Sequence, residues 1–392
     1  MVKQQIVDNY DCVIECKQPF PVDFDKLTSL NFQIPSGKEL LINPSRINIE
    51  AAFQFTLIDG SPVIEEAEYT IIEEPLLNCI KTVIMTVNGK PCFTINSYNY
   101  CNYINKLTVK QIFMEEYFGM TGYGLDSPPM NDPTIGFQKK RFDQLNFSIP
   151  WYLTGPLYLP QFASADCPLL PSELDLGLEF EFESSDFMVI RNEKKSHYMK
   201  ARLLSFNLGV NYAVTKVPIP LKAPIKIPYT SQQVFKYTGS AGVLNTSSGH
   251  ILLENYPSKA IIFFTPDKIN NDLINPFDFQ TLSCTHLNVS VDGKDHSIAI
   301  DSGLEDFAST YSSIHRVLAR QGLGFSHADM QNGYFIAGID LSHVVPSKKG
   351  CVVSVSTRHH SGLPQNISVY CMFYSAGVFS VASNMAVQDV LV

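Results

Sequence analysis

Val83-Ile84-Met85-Thr86-Val87-Asn88-Gly89-Lys90 returns about two hundred residues later as Leu287-Asn288-Val289-Ser290-Val291-Asp292-Gly293-Lys294. In both copies hydrophobic residues alternate with smaller or polar ones, the period of a half-buried strand. Each copy ends in Asn-Gly or Asp-Gly, pairs that accept positive φ at both central positions of a tight hairpin. A short returning segment follows (Phe93-Thr94-Ile95; Ser297-Ile298-Ala299-Ile300), and then an aromatic helical stretch (Ser97 to Leu107; Leu304 to Arg320). A strand–turn–strand–helix unit that recurs in order predicts a duplicated domain.

Working outward, Leu30 to Pro35 alternates, and Arg46 to Leu57 places Ile47, Ile49, Ala51, Phe53, Phe55 and Leu57 on one face. Further strands are expected at Leu145 to Ile149, Leu176 to Phe182, Ala201 to Val214, Ala260 to Thr265, Tyr334 to Leu341, Cys351 to Thr357 and Ile367 to Phe373. Asn96 is placed to cap the first helix. Ser302 and Glu305 form a capping box for the second, and Gly322 stops it. Gly119 to Gly136, with four Gly and three Pro, reads as a long loop. The prolines between Val217 and Pro228 keep the chain extended and mark the boundary between halves. No strand–helix alternation supports a parallel sheet. The expected fold is all-β: two tandem eight-stranded jelly-roll sandwiches with short helices in loops. Residues 1–30 read as an N-terminal arm, 31–216 as the first jelly roll and 217–392 as the second.

Composition narrows the function. The chain is 45% hydrophobic and only 17% charged, so most of its surface is neutral, as in proteins that bury their outside against copies or partners. A net charge of −9 argues against coating nucleic acid, and the N-terminal arm is not basic either. Nine Cys without regular spacing or a Cys-x-x-Cys pair indicate neither a disulfide framework nor a zinc site. The first residues lack the apolar core of a secretory signal, and no apolar run is long enough for a membrane span, so an intracellular, soluble product is expected.

Candidate chemistry is thin. All nine His lie from residue 197 onward, but none has a metal-ligand spacing, and adjacent His359 and His360 on a strand point to opposite faces. His327-Ala328-Asp329 and Asp340-x-x-His343 lack the Gly-x-Ser-x-Gly elbow of a hydrolase. Glu65-Glu66 and Glu73-Glu74 read as solvated pairs, and Glu179, Glu181 and Glu183 as a solvent-facing strand rather than glycosidase carboxylates. The residues therefore predict no catalytic group, no cofactor and no metal.

Leu30 to Pro35, the Met85-Thr86-Val87-Asn88-Gly89-Lys90 hairpin with Tyr98, Tyr100 and Tyr103 after it, Asn131-Asp132-Pro133 to Gly136-Phe137, and Leu153-Thr154-Gly155-Pro156-Leu157 together resemble segments of the double jelly-roll major capsid proteins of polintons, adintoviruses and virophage-like elements. In the second half Asn275-Pro276-Phe277-Asp278-Phe279, Leu287 to Lys294 and Asn332-Gly333-Tyr334-Phe335 continue the match in collinear order. The resemblance implies a structural, non-enzymatic protein of the virion, made in the host cytoplasm. Its expected assembly is a homotrimer, a pseudo-hexameric capsomer that tiles an icosahedral shell. Partners would be neighbouring capsomers, penton and minor capsid proteins, without direct nucleic-acid binding. Candidate inter-subunit loops carry Gly119, Tyr123, Pro128, Pro129, Asn131, Gly239 and Asn245. The alternative from another class is a β-sandwich glycan-binding or hydrolytic protein, or a domesticated host copy of a capsid gene.

Overall fold

A computed structural model describes residues 6–35, 37, 39–63, 69–107, 114–145, 149–162, 169–171, 174–191, 199–215, 225–267, 274–300, 307–318, 323–344, 350–381 and 387–390. The first sandwich has eight principal strands: β1 (Ile6–Glu15), β2 (Ser29–Gln33), β3 (Leu40–Leu57), β4 (Ile80–Val87), β5 (Lys90–Asn96), β6 (Trp151–Pro156), β7 (Leu176–Phe182) and β8 (Met199–Thr215). The second has β9 (Ile225–Gly239), β10 (Asn245–Ser247), β11 (Pro257–Pro266), β12 (Cys284–Val291), β13 (Lys294–Ala299), β14 (Ile336–Asp340), β15 (Cys351–His359) and β16 (Ile367–Val381).

Sheet order in the first sandwich is β1-β8-β3-β6 facing β2-β7-β4-β5. In the second it is β9-β16-β11-β14 facing β10-β15-β12-β13. Raising every number of the first sandwich by eight yields the second, so the duplication foreseen from one hairpin extends to the whole topology. Each is an antiparallel jelly roll. The founding hairpins are tight as expected, with positive φ at Asn88 (52°) and Gly89 (73°) and at Asp292 (47°) and Gly293 (80°).

Alternation explains the cores. Ile47, Ile49, Ala51, Phe53, Phe55 and Leu57 of β3 are buried against Leu178, Phe180 and Phe182 of the opposing sheet, with Phe24 and Phe206 packed among the rings. In the second sandwich Leu287, Val289 and Val291 are buried, while Asn288 and Ser290 between them are half-buried. Among the described residues no cysteine forms a disulfide, and five of the cysteines are buried.

Four elements differ from the sequence reading. Within residues 1–30, Ile6–Glu15 is the strand β1, paired along β8 from Ile6↔Thr215 to Glu15↔Asn207. Its polar residues obscure the signal because an edge strand needs little burial. Strand β3 starts at Leu40 rather than Arg46, because pairing with β8 resumes across an irregularity that accommodates Pro44. Leu145 ends a helix, Gly136–Leu145, rather than opening a strand; Gln138, Arg141, Phe142 and Leu145 recur at helical spacing on its buried side. Ser97, not Asn96, precedes the first aromatic helix, with left-handed backbone and no side-chain cap. The capping box at Ser302 and Glu305, the stop at Gly322 and residues 217–224 of the proline-rich boundary lie outside the described residues.

Candidate functional site: the junction between the sandwiches

Among the described residues four helices of eight residues or more lie outside the sheets: α1 (Tyr98–Lys106), α2 (Met114–Thr121), α3 (Gly136–Leu145) and α4 (Ala308–Leu318). Helices α1 and α4 are the two copies of the aromatic helix, yet they serve different ends. Helix α4 packs on its own sandwich, close enough that a Cβ on Gly338 of β14 would lie 3.1 Å from Ile314. Helix α1 instead turns Tyr100 and Tyr103 onto the other sandwich. Tyr103 stacks on Phe277 with ring centroids 4.3 Å apart, and Tyr100 meets Phe263, Phe277, Phe279 and Tyr370, the last at 4.4 Å. These rings are almost fully buried, and pairs of this geometry add about 0.5–1.5 kcal/mol each beyond area burial.

A buried polar hub adjoins the rings. Asp126, in the segment between α2 and α3, forms an ion pair with Arg141 of α3 and accepts a hydrogen bond from Asn275 Nδ2 at 2.7 Å. Its main-chain oxygen accepts from Tyr334 Oη at 2.7 Å. Asn275 Nδ2 also donates to Met130 O, and its main-chain N–H donates to Asn131 Oδ1. Arg141 also donates to Ile71 O (2.9 Å) and Gly124 O (3.1 Å). Both members of the ion pair are completely shielded from water, so each depends on the other. The segments Asn131-Asp132-Pro133, Asn275 to Phe279 and Asn332 to Phe335, far apart in sequence, thus converge here with the Tyr-rich helix.

Glu73 and Glu74, expected to be solvated, are both fully buried at this junction. Glu74 pairs with Lys106 Nζ at 3.0 Å and accepts from Asn102 Nδ2 at 2.6 Å. The Lys106 ammonium also lies 4.7 Å from the Tyr117 ring centroid. Glu73 accepts from the Asp126 N–H, but its Oε2 has no hydrogen-bond partner among the described residues. Burial above all, and then the Asp126 carboxylate, push the Glu73 carboxyl well above its ordinary range. Burial likewise raises Asp126, against the pull of Arg141. Three acids face two bases here, and burial drives the Glu73 carboxyl toward its neutral form. Charge runs in the sequence carry no signal of burial, so the solvated reading was the default that tertiary packing overturned.

The loop candidates divide. Tyr123 is buried and donates to Lys106 O at 2.8 Å, Asn131 is engaged with Asn275, and Gly239 is buried where a Cβ would crowd Leu363 and Ile367. Gly119, in α2, and Pro128, Pro129 and Asn245 are exposed. A cavity of about 460 Å³ opens beside the junction between Pro128, Phe137, Lys140, Phe325 and Tyr334. Its two carboxylates are already engaged: Asp126 in the hub, and Asp329 as acceptor from Ser326 N and Oγ at 2.7 Å each. That second contact makes His327-Ala328-Asp329 a capped turn. His359 is buried and bonded to Thr357 and Leu282 O while His360 is exposed, so the two do point apart. Glu179 and Glu181 are half-buried, and burial raises the Glu183 carboxyl, which accepts from Asn99 Nδ2 at 3.0 Å. Among the described residues no group of three or more His, Cys, Asp or Glu side chains is arranged to hold a metal ion.

No protein-family model matches the chain, and no curated protein matches it by sequence. Solved structures do match over nearly its whole length. A chain of the Sputnik virophage structure, determined by electron cryomicroscopy, is similar with a TM-score of 0.69 and 13% identity, covering 99% of this chain and 89% of that one. The mavirus major capsid protein is similar with a TM-score of 0.62 and 10% identity, covering 97% and 90%. The Faustovirus major capsid protein follows at 0.55 and 9%, covering 95% and 90%. At such identities the likeness lies in the fold. The chain is all-β and has the double jelly-roll fold.

Proposed function

We propose that this chain is a structural protein of a virion, the major subunit of an icosahedral shell. Three copies form a pseudo-hexagonal capsomer, which meets neighbouring capsomers, penton and minor capsid proteins. The observation that carries this reading is the pair of topologically equivalent sandwiches joined by a buried aromatic and ionic junction. Two like bodies held side by side become six around a threefold axis, and symmetric closure lets each patch serve three times. The full-length fold match to the mavirus major capsid protein points the same way.

Residues 31–216 form the first domain, extended by strand β1, and 217–392 the second. Inter-subunit contacts fall on the exposed members of the loop set, Gly119, Pro128, Pro129 and Asn245. Two large exposed hydrophobics, Met120 and Leu244, adjoin them in sequence. Such apolar side chains gain by burial against a neighbour.

Size-exclusion chromatography with light scattering, followed by negative-stain imaging, tests the reading. A trimer with hexagonal outline is the expected particle. A monomer that persists across a wide concentration range would remove the capsomer.

A further inference from the structure

Away from the junction, two histidines stand together at one side of the second sandwich. His296 lies in β13, which ends one sheet, and His343 lies in the turn after β14, at the end of the other sheet's main strand path. That turn is pinned on both sides: Val344 N–H donates to Leu341 O, and Ser342 N–H donates to Asp340 Oδ1, both at 2.9 Å. His343 is exposed and His296 half-buried. Their facing nitrogens, His343 Nε2 and His296 Nδ1, are 3.2 Å apart, with ring centroids 4.9 Å apart.

That separation suits two chemistries. With a proton between them, the nitrogens form an N–H···N hydrogen bond. With a metal between them, two bonds of about 2.05 Å spanning the same gap meet at about 103°, close to a tetrahedral angle. We propose that His296 and His343 chelate a borderline transition-metal dication of the zinc or nickel class, the metal replacing the shared proton. Imidazole pairs suit such ions, whereas calcium and magnesium require oxygen donors.

The surroundings favour the metal-bound form. A ligating imidazole is unprotonated, so the incoming metal releases the proton shared by the pair to solvent. Asp295 and Lys294 oppose each other beside His296, and Asp340 and Arg316 do so near His343, so no excess positive charge repels the ion. Water fills the remaining coordination positions, because no third protein ligand completes a cluster among the described residues. The resulting site is open and exchangeable. Its effect is to tie strands of the two facing sheets together.

Calorimetric titration of the full chain, first stripped of metal with a chelator, decides the matter with Ni²⁺ alone near neutral pH. One equivalent is expected to bind, with affinity weakened about tenfold or more in His343→Asn and in His296→Asn. His250→Asn, at an exposed histidine outside the pair, is expected to bind as the parent does. Absence of binding, or binding undiminished in the double variant His296→Asn/His343→Asn, overturns the assignment.

Discussion

Replacing Arg141 by Met tests whether the junction is held by its buried ion pair. The guanidinium is fully buried and is committed to Ile71 O at 2.9 Å, Gly124 O at 3.1 Å and the Asp126 carboxylate. Methionine preserves much of the apolar stem but leaves two carbonyls and one carboxylate without their donor. Breaking a buried pair by removing one partner costs about 3–5 kcal/mol, because the remaining charge is uncompensated. The cost depends on pH in a defined direction. Burial already raises Asp126, and Arg141 is the chief influence lowering it. Without Arg141 the folded-state pKa climbs further above the unfolded value, so the variant keeps its stability in acid and loses it as pH rises through the folded pKa. The gap to the parent protein therefore widens with pH, by at most about 1.4 kcal/mol per pH unit. Denaturant unfolding followed by fluorescence reports on the right place. Trp151, the only tryptophan, is buried with the Phe118 ring 6.0 Å away, and a Cβ on Gly122 would lie 2.9 Å from its ring. A loss under about 1 kcal/mol that does not change between mildly acidic and alkaline pH would refute the assignment of Arg141 as the counterion that the junction depends on.

Two further outcomes follow from the same region. Glu73→Gln removes a carboxyl whose folded pKa is raised well above its ordinary value, chiefly by burial. Its favourable contribution is present below the unfolded pKa and lost as pH rises through the folded one, so the parent should lose stability relative to Glu73→Gln on going from mildly acidic to alkaline pH, by up to about 1.4 kcal/mol per unit; parallel melting-temperature profiles would show that Glu73 does not titrate there. Gly333→Ala should destabilise by about 1–3 kcal/mol in denaturant melts, because φ is +105° and the new Cβ would lie 2.4 Å from Met130 Cγ across the junction. Adding Met130→Ala should relieve the clash but not the backbone strain, and full recovery would argue that strain is absent.

What the sequence determined by itself is local in origin. Alternation in Arg46 to Leu57 and Leu176 to Phe182, and the turn chemistry of Asn88-Gly89 and Asp292-Gly293, act between neighbours in the chain, so strands, hairpins and the duplication were legible. The all-β, tandem jelly-roll class followed. Weak patterns misled where a neighbour outside the window decides the outcome: β1 is recognisable as a strand only by its pairing with β8 some two hundred residues away. The candidate site was legible only in part. Tyr98, Tyr100, Tyr103, Phe277 and Phe279 stood out as aromatic clusters, but nothing local told which would face which.

Tertiary structure alone decided that Glu73, Glu74, Lys106, Asp126 and Arg141 are interior. An ionisable residue is buried either with a counterion that arrives from elsewhere in the fold, as at Asp126 and Arg141, or by shifting toward its neutral form, as at Glu73, and Asp126 also meets Asn275, 149 residues on. The same cause separated the two copies of one helix: α4 closes its own sandwich, while α1 faces a second sandwich that no sequence window around it contains.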